Sequence, residues 1–306
     1  MNIDRLKASA DKHPIIKAVI KTVLYPAVIV RRSLLKKKYL WQRDVMNTLG
    51  EMLISNPVIR VDEFKGVFAI DPHSDLFYRV VMQKCYEPQL VKFCLKYLDE
   101  NRDVIDVGAN IGFYTVMFAK NIAQQRKVLS IEPTRNALKN LRRNIELNGV
   151  IDKVEVFEGV ASNRKGVAEI KTIKGKEEYS SLGEMKLPNI QNEKWVSEEV
   201  ISATLDELVE EKSLDPGFIK VDVEGAEHLV FEGAQKVLGD KRPIIFAELH
   251  HSLLRQKGSS AKEVINLIIA HEYDLFDPIH PSIQPGAKDT WSIVCFPKEM
   301  KARIGS

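Results

Sequence analysis

The residues best suited to chemistry fall in four stretches of the chain. In VIDVGANIGFYT, Asp106, Gly108, Asn110 and Gly112 stand in a D-x-G-x-N-x-G arrangement between an apolar run and a helical pattern. Glycines at such a junction let the backbone turn tightly and come close to a ligand, while the free amides of the following helix face an anionic group. Further on, LSIEP ends in Glu132, a carboxylate placed to accept from both hydroxyls of a ribose. Finally, KVDVEGAE and FAELHH carry Asp222, Glu224, Glu227, Glu248 and His250 at the ends of two more apolar runs.

The loop discriminates between ligands. A dinucleotide site needs G-x-G-x-x-G so that a pyrophosphate can meet the backbone, and the residues here do not fall at that spacing. Asp106 would repel a pyrophosphate but suits a ligand that carries an ammonium and a sulfonium beside one carboxylate. S-adenosylmethionine is such a ligand and is the expected cofactor; an NAD-dependent oxidoreductase is the alternative. Gly159, Val160, Ala161 and Ser162 follow a third strand-like run, where topology would set them beside an adenine.

Methyl transfer is an in-line displacement, so the protein must hold an acceptor lone pair on axis and remove a hydroxyl proton as the bond forms. If the strand continues through Val223, Asp222 and Glu224 point the same way, as do Glu248 and His250. These expectations make His250 the proton acceptor, Asp222 and Glu248 its orienting partners, and Glu224 a substrate contact. The structural alternatives are that Glu227 caps a helix, with Glu224 beside it, and that the buried acids pair with Lys220 or Arg242. Several acids near one histidine could also hold a divalent cation, although nothing in the spacing demands a metal and no metal ligands are assigned.

These groups need a sheet to carry them. From about residue 100, short β-rich runs alternate with longer helical patterns, the signature of a parallel sheet with crossover helices. The expected strands are DVIDVG, KVLSIEP, KVEVFEGVAS, GFIKVDVEG and RPIIFAELHH; the expected helices include FYTVMFAKNIA, TRNALKNLRRNIELNG, AEHLVFEGAQKVLG and AKEVINLIIAHE. The stretch from Gly166 to Leu208 reads as an antiparallel insertion, and YDLFD with WSIVCFP as a closing hairpin. Ahead of the core, VIRVDEFKGVFAID predicts a hairpin and EPQLVKFCLKYLDE a helix.

With 44% hydrophobic residues in 306, the chain can bury one large core. Cys85, Cys94 and Cys295 lack metal or C-x-x-C spacing and read as buried thiols of a reducing compartment. The net charge of +3 is too small to argue for nucleic acid, but residues 1–43 hold eleven Lys or Arg against Asp4 and Asp11. Their apolar run is interrupted by Lys17, Lys21 and Pro26, so it predicts no bilayer span, and no cleavage site follows it. Residues 13–43 instead suggest either peripheral contact with an anionic membrane surface or a helix packed on the domain. The expected division is a basic helical extension over residues 1–60 and a catalytic domain over 61–306, in a cytoplasmic protein.

The stretches DVIDVGANIGFYT, IEPTRNALKNLRRNIELNG, ATLDEL, IKVDVEGAEHLVFEGA and PIIFAELH together resemble the FkbM family of methyltransferases, over roughly residues 87–250. The resemblance implies a class I methyltransferase fold, Rossmann-like, with a mostly parallel sheet flanked by helices. It also implies O-methylation of a hydroxyl on a sugar, glycan or polyketide-type product. In the insertion, YSSL echoes the family and makes Tyr179 and Ser181 candidate substrate contacts. A non-catalytic scaffold with the same fold, docking through its basic N-terminus, is the alternative from another functional class.

Overall fold

The computed structural model describes residues 57–72, 74–83, 86–173, 195–276 and 290–300. Residues 1–56 of the expected basic extension and the candidate contacts Tyr179 and Ser181 lie outside these residues, as does the Cys85 side chain; residues 58–60 of that extension belong to a strand.

In chain order the elements are β1 (Val58–Val61), β2 (Gly66–Ala69), α1 (Asp75–Gln83), α2 (Pro88–Tyr97), β3 (Asp103–Val107), α3 (Phe113–Asn121), β4 (Val128–Glu132) and α4 (Arg135–Leu147). They continue as β5 (Val154–Ala161), β6 (Gly166–Ile173), β7 (Trp195–Ala203), α5 (Leu205–Glu211), β8 (Pro216–Val221) and α6 (Glu227–Glu232). The last are β9 (Ile244–His250), α7 (His251–Gln256), α8 (Ala261–Ile269), β10 (Tyr273–Phe276) and β11 (Thr290–Pro297). Among the described residues the main sheet runs β10-β11-β9-β8-β3-β4-β5-β7-β6. The strands β9, β8, β3, β4, β5 and β7 are parallel, whereas β11 is antiparallel to β9 and β10, and β6 to β7. The expected insertion is thus the edge hairpin β6–β7, and the expected closing hairpin is β10–β11.

Parallel strands covered on both faces read as continuous apolar runs. One register row shows why: Leu129, Ile105, Ile219, Ile245 and Cys295 lie side by side across five strands, each with 0% exposure. The next row, Ser130, Asp106, Lys220 and Phe246, points to the opposite face of the sheet and puts three polar groups there, also buried. Those polar residues lie directly beneath the glycine loop.

Helix α3 is buried from Phe113 to Ala119 without a polar face, so both sides must be covered. The β1–β2 hairpin supplies the outer cover, with Phe68 edge-on to Phe113 at 4.5 Å and Phe64 stacked on it at 5.0 Å. The hairpin is held to α4 by asparagine side chains one turn apart. Asn144 Oδ1 accepts from the Ala69 amide at 2.7 Å, and Asn148 Oδ1 accepts from the Val67 amide at 3.0 Å.

Two local expectations change. The helix expected over AEHLVFEGAQKVLG breaks at Gly233, where a Cβ would lie 2.1 Å from the Ser162 carbonyl oxygen. The Asp206 carboxylate then accepts from the amides of Lys236 and Val237, starting a separate wide helical turn at Val237–Lys241. The fourth core strand stops at Val221, short of the expected Val223. No helix among the described residues is long and apolar enough to cross a membrane.

Candidate active site

A cavity of about 360 Å³ opens beyond the carboxyl ends of the parallel strands, where open α/β sheets bind their ligands. The buried polar row forms its floor. Asp106 Oδ2 accepts from the Thr115 hydroxyl at 2.7 Å, and that hydroxyl also meets Ser130 Oγ at 2.9 Å. The Lys220 ammonium lies 3.7 Å from Asp106 Oδ1, 3.5 Å from Asp222 Oδ2 and 3.3 Å from the Gly108 carbonyl oxygen. It also sits 5.2 Å from the centre of the Tyr114 ring.

Burial pushes the Asp106 carboxyl up against the opposing pull of Lys220 and Thr115. Burial also disfavours the Lys220 charge, but Asp222 and Asp106 outweigh it and raise its pKa. Asp106 is fully buried and absent from the cavity lining, so its direct ligand contact, expected from sequence, becomes a supporting role under the loop. Gly112 is likewise off the lining; it starts α3 at φ +90°, where a Cβ would meet Leu141 Cδ1 at 2.6 Å. Gly108 does line the cavity, yet its missing side chain serves a protein contact. At φ +78°, a Cβ there would fall 1.9 Å from the Asp222 carbonyl oxygen.

One half of the cavity has the character expected for a nucleoside. Glu132 Oε2 accepts from the Asn110 amide at 2.9 Å, and Glu132 Oε1 accepts from the Thr134 amide and hydroxyl at 2.9 and 2.7 Å. Burial raises the Glu132 pKa despite these bonds. Oε2, with two lone pairs and one donor, keeps the capacity to accept one further hydrogen bond. Gly159, Val160, Ala161 and Ile170 supply the facing apolar wall.

The other half gathers four groups. His250 Nε2 stands 3.8 Å from Asp222 Oδ1, 3.6 Å from Glu224 Oε2 and 3.9 Å from Glu248 Oε1. Glu248 and His250 meet through strand alternation in β9, as expected. Asp222 and Glu224 meet by a different route: beyond the end of β8 the chain turns left-handed at Glu224 and Gly225, with φ 51° and 91°. A Cβ on Gly225 would approach Leu253 Cβ to 2.6 Å, so α7 closes down on this turn.

Burial opposes charge on the His250 ring, but Asp222, Glu224 and Glu248 outweigh it and push its pKa up to about 10. Burial raises Glu224 to about 7 and, with Asp222, Glu248 to about 8. Asp222 falls to about 2 in spite of burial, because Lys220 and His250 face it. The four groups stand close enough for their protonation to be linked. Glu227 turns back to accept from the Gly225 amide at 3.0 Å, and so ties the turn rather than capping α6. Arg242 pairs with Glu299 at 2.7 Å and takes no part in the site.

The wall opposite the cluster comes from residues with no motif: Leu76 and Arg79 on α1, then Tyr86 and Glu87 ahead of α2. Glu87 precedes Pro88 with φ 50°, and its Oε2 accepts from the Tyr114 hydroxyl at 2.7 Å. The only sequence signal was the start of a helix at EPQLVKF.

The sheet order, with its antiparallel strand β11 inserted next to β9, and the cavity at the strand ends define a class I methyltransferase fold. The family model for the methyltransferase FkbM domain matches residues 106–275, more than half of the chain. The chain belongs to this family. Among solved structures, the methyltransferase FkbM of Methylobacillus flagellatus KT is 17% identical, with a TM-score of 0.42 over 65% of this chain and 44% of that one. This chain therefore spans less than half of that protein's length. The O-methyltransferase of Bacillus cereus, in complex with SAH, is 15% identical, with a TM-score of 0.41 over 82% of this chain and 96% of that one. TYW2 of M. jannaschii, in complex with AdoMet, is 14% identical, with a TM-score of 0.38 over 79% and 84% of the two chains. No curated protein matches the chain.

Proposed function

We propose that this protein transfers a methyl group from S-adenosylmethionine to a hydroxyl oxygen on a sugar, glycan or related natural product. The observation that carries the reading is the juxtaposition in one cavity of the Asn110–Glu132 half and the Asp222–Glu224–Glu248–His250 cluster. The bound donor supplies an electrophilic methyl carbon on a sulfonium. Glu132 and Asn110 hold its ribose, the wall at Gly159, Val160 and Ala161 takes its adenine, and Asp222 beside the glycine loop faces its amino acid end. Glu224 orients the acceptor. A bound donor would give up its methyl carbon to the acceptor oxygen, the carbon–sulfur bond breaking to leave a neutral thioether. The hydroxyl proton passes to the cluster's carboxylates, of which Glu248 stands 3.9 Å from the His250 ring, rather than to the imidazole expected from sequence.

Calorimetry with S-adenosylmethionine, and mass spectrometry of candidate glycans for the addition of one methyl, test this reading. Wild-type protein that shows no binding of the donor ends it. The basic segment over residues 13–43 gives the protein a peripheral contact with anionic membranes. Flotation with phosphatidylserine liposomes checks this, and replacing Lys36, Lys37 and Lys38 by Glu should abolish it.

A further inference from the structure

We infer that Asp222, Glu224 and His250 form a divalent-cation site at the acceptor end of the cavity, a reading that rests on the methyl-transfer assignment only for its purpose. Each of the three offers one ligand atom, and all three atoms lie within 4.8 Å of one another. The His250 Nε2 separations of 3.8 Å to Asp222 and 3.6 Å to Glu224 are too long for hydrogen bonds. They match two ligands on one ion: metal–ligand bonds of about 2.1 Å at angles of 90–180° separate the ligands by about 3.0–4.2 Å. A fourth donor, Glu248 Oε1, stands 3.9 Å from the same nitrogen.

Acids predominate on the cavity lining: Glu87, Asp222, Glu224 and Glu248 stand there with Arg79 and Lys220, and the Lys220 ammonium is drawn down between Asp106 and Asp222 on the floor. One imidazole with hard carboxylate oxygens suits an ion of the manganese type, which takes mixed nitrogen and oxygen donors and keeps open positions for exchangeable ligands. All three side chains line the cavity, so an ion held by them would be accessible from it. An acceptor hydroxyl, or a vicinal pair of them, would bind there, and its oxygen would be held beside the donor's methyl group. Nothing in the spacing announces this set: Asp222 and Glu224 are joined by a left-handed turn, and His250 arrives on another strand.

The test is a titration of chelator-stripped full-length protein with manganese chloride, followed by the electron paramagnetic resonance signal of the free ion. Calorimetry with S-adenosylmethionine alone runs in parallel. Wild-type protein should remove one equivalent of free manganese. His250→Ala and Asp222→Asn should weaken binding tenfold or more while keeping the wild-type circular dichroism. Manganese left free by the wild type, or bound equally well by folded His250→Ala, overturns the site. Donor binding without manganese binding overturns the cation site and leaves the methyl-transfer reading standing; manganese binding without donor binding does the reverse.

Discussion

The Asn110 backbone amide donates to Glu132 Oε2 at 2.9 Å, so the acid assigned to the ribose also fastens the glycine loop to the end of β4. Removing Glu132 therefore removes a ligand contact and a loop anchor together. Glu132→Ala is expected to weaken S-adenosylmethionine binding by roughly 100-fold, since charge-assisted hydrogen bonds contribute about 1.5–3 kcal/mol each. Calorimetry measures this. Binding within a factor of two of wild type would show that the ribose sits elsewhere.

Gly108 is a sharper probe of the loop. A methyl group there would enter the Asp222 carbonyl oxygen at 1.9 Å and would also have to hold φ +78°. Gly108→Ala should cost several kcal/mol in stability and displace Asp222. Gly149, at φ +64° with nothing within 4 Å of its Cβ position, is the control. Gly149→Ala should cost only about 1 kcal/mol. Thermal unfolding of the two variants compares them, and equal melting temperatures would refute the close approach.

Asn144 is fully buried and bridges three parts of the chain. Its side chain accepts from the Ala69 amide and donates to the Ile111 carbonyl oxygen at 2.8 Å. Asn144→Ala leaves both backbone groups without those partners, at a cost of about 2–4 kcal/mol by the usual penalty for unsatisfied buried groups. Urea denaturation should show this loss. Because Ile111 belongs to the cavity wall, donor affinity should fall with it.

Glu227 is 0% exposed, and its Oε2 finds no hydrogen-bond partner among the described residues. Burial raises its pKa from 4.5 to about 7. The folded state thus binds the proton more tightly than the unfolded chain, and this residue's contribution worsens as pH rises from about 4.5 to about 7. In Glu227→Gln that dependence disappears, while the amide oxygen can still accept from Gly225. Relative to wild type, the variant should gain about 2–3 kcal/mol between pH 5 and pH 8 in denaturant unfolding. A constant difference across that range would contradict a buried carboxyl.

The sequence by itself determined the sheet, the glycine loop, the position of Glu132 at a strand end and the pairing of Glu248 with His250. Each follows from local periodicity: apolar runs buried on both faces, a glycine-bearing strand-to-helix junction, and alternation along one strand. Tertiary structure decided the rest. Asp106 and Glu132 look equivalent as acids at strand ends, yet Asp106 lies in register with Ser130 and Lys220 on the buried floor while Glu132 faces the cavity. Glu224 reaches His250 only because the chain turns left-handed under α7, a conformation that no side-chain periodicity encodes. Arg79, Tyr86 and Glu87 became part of the site because their segment folds back over α3, more than a hundred residues in sequence from the acids they face. Periodicity records which way a side chain points within its own element. Which elements meet, and what charge they bring to the meeting, is settled by long-range packing that a linear pattern does not contain.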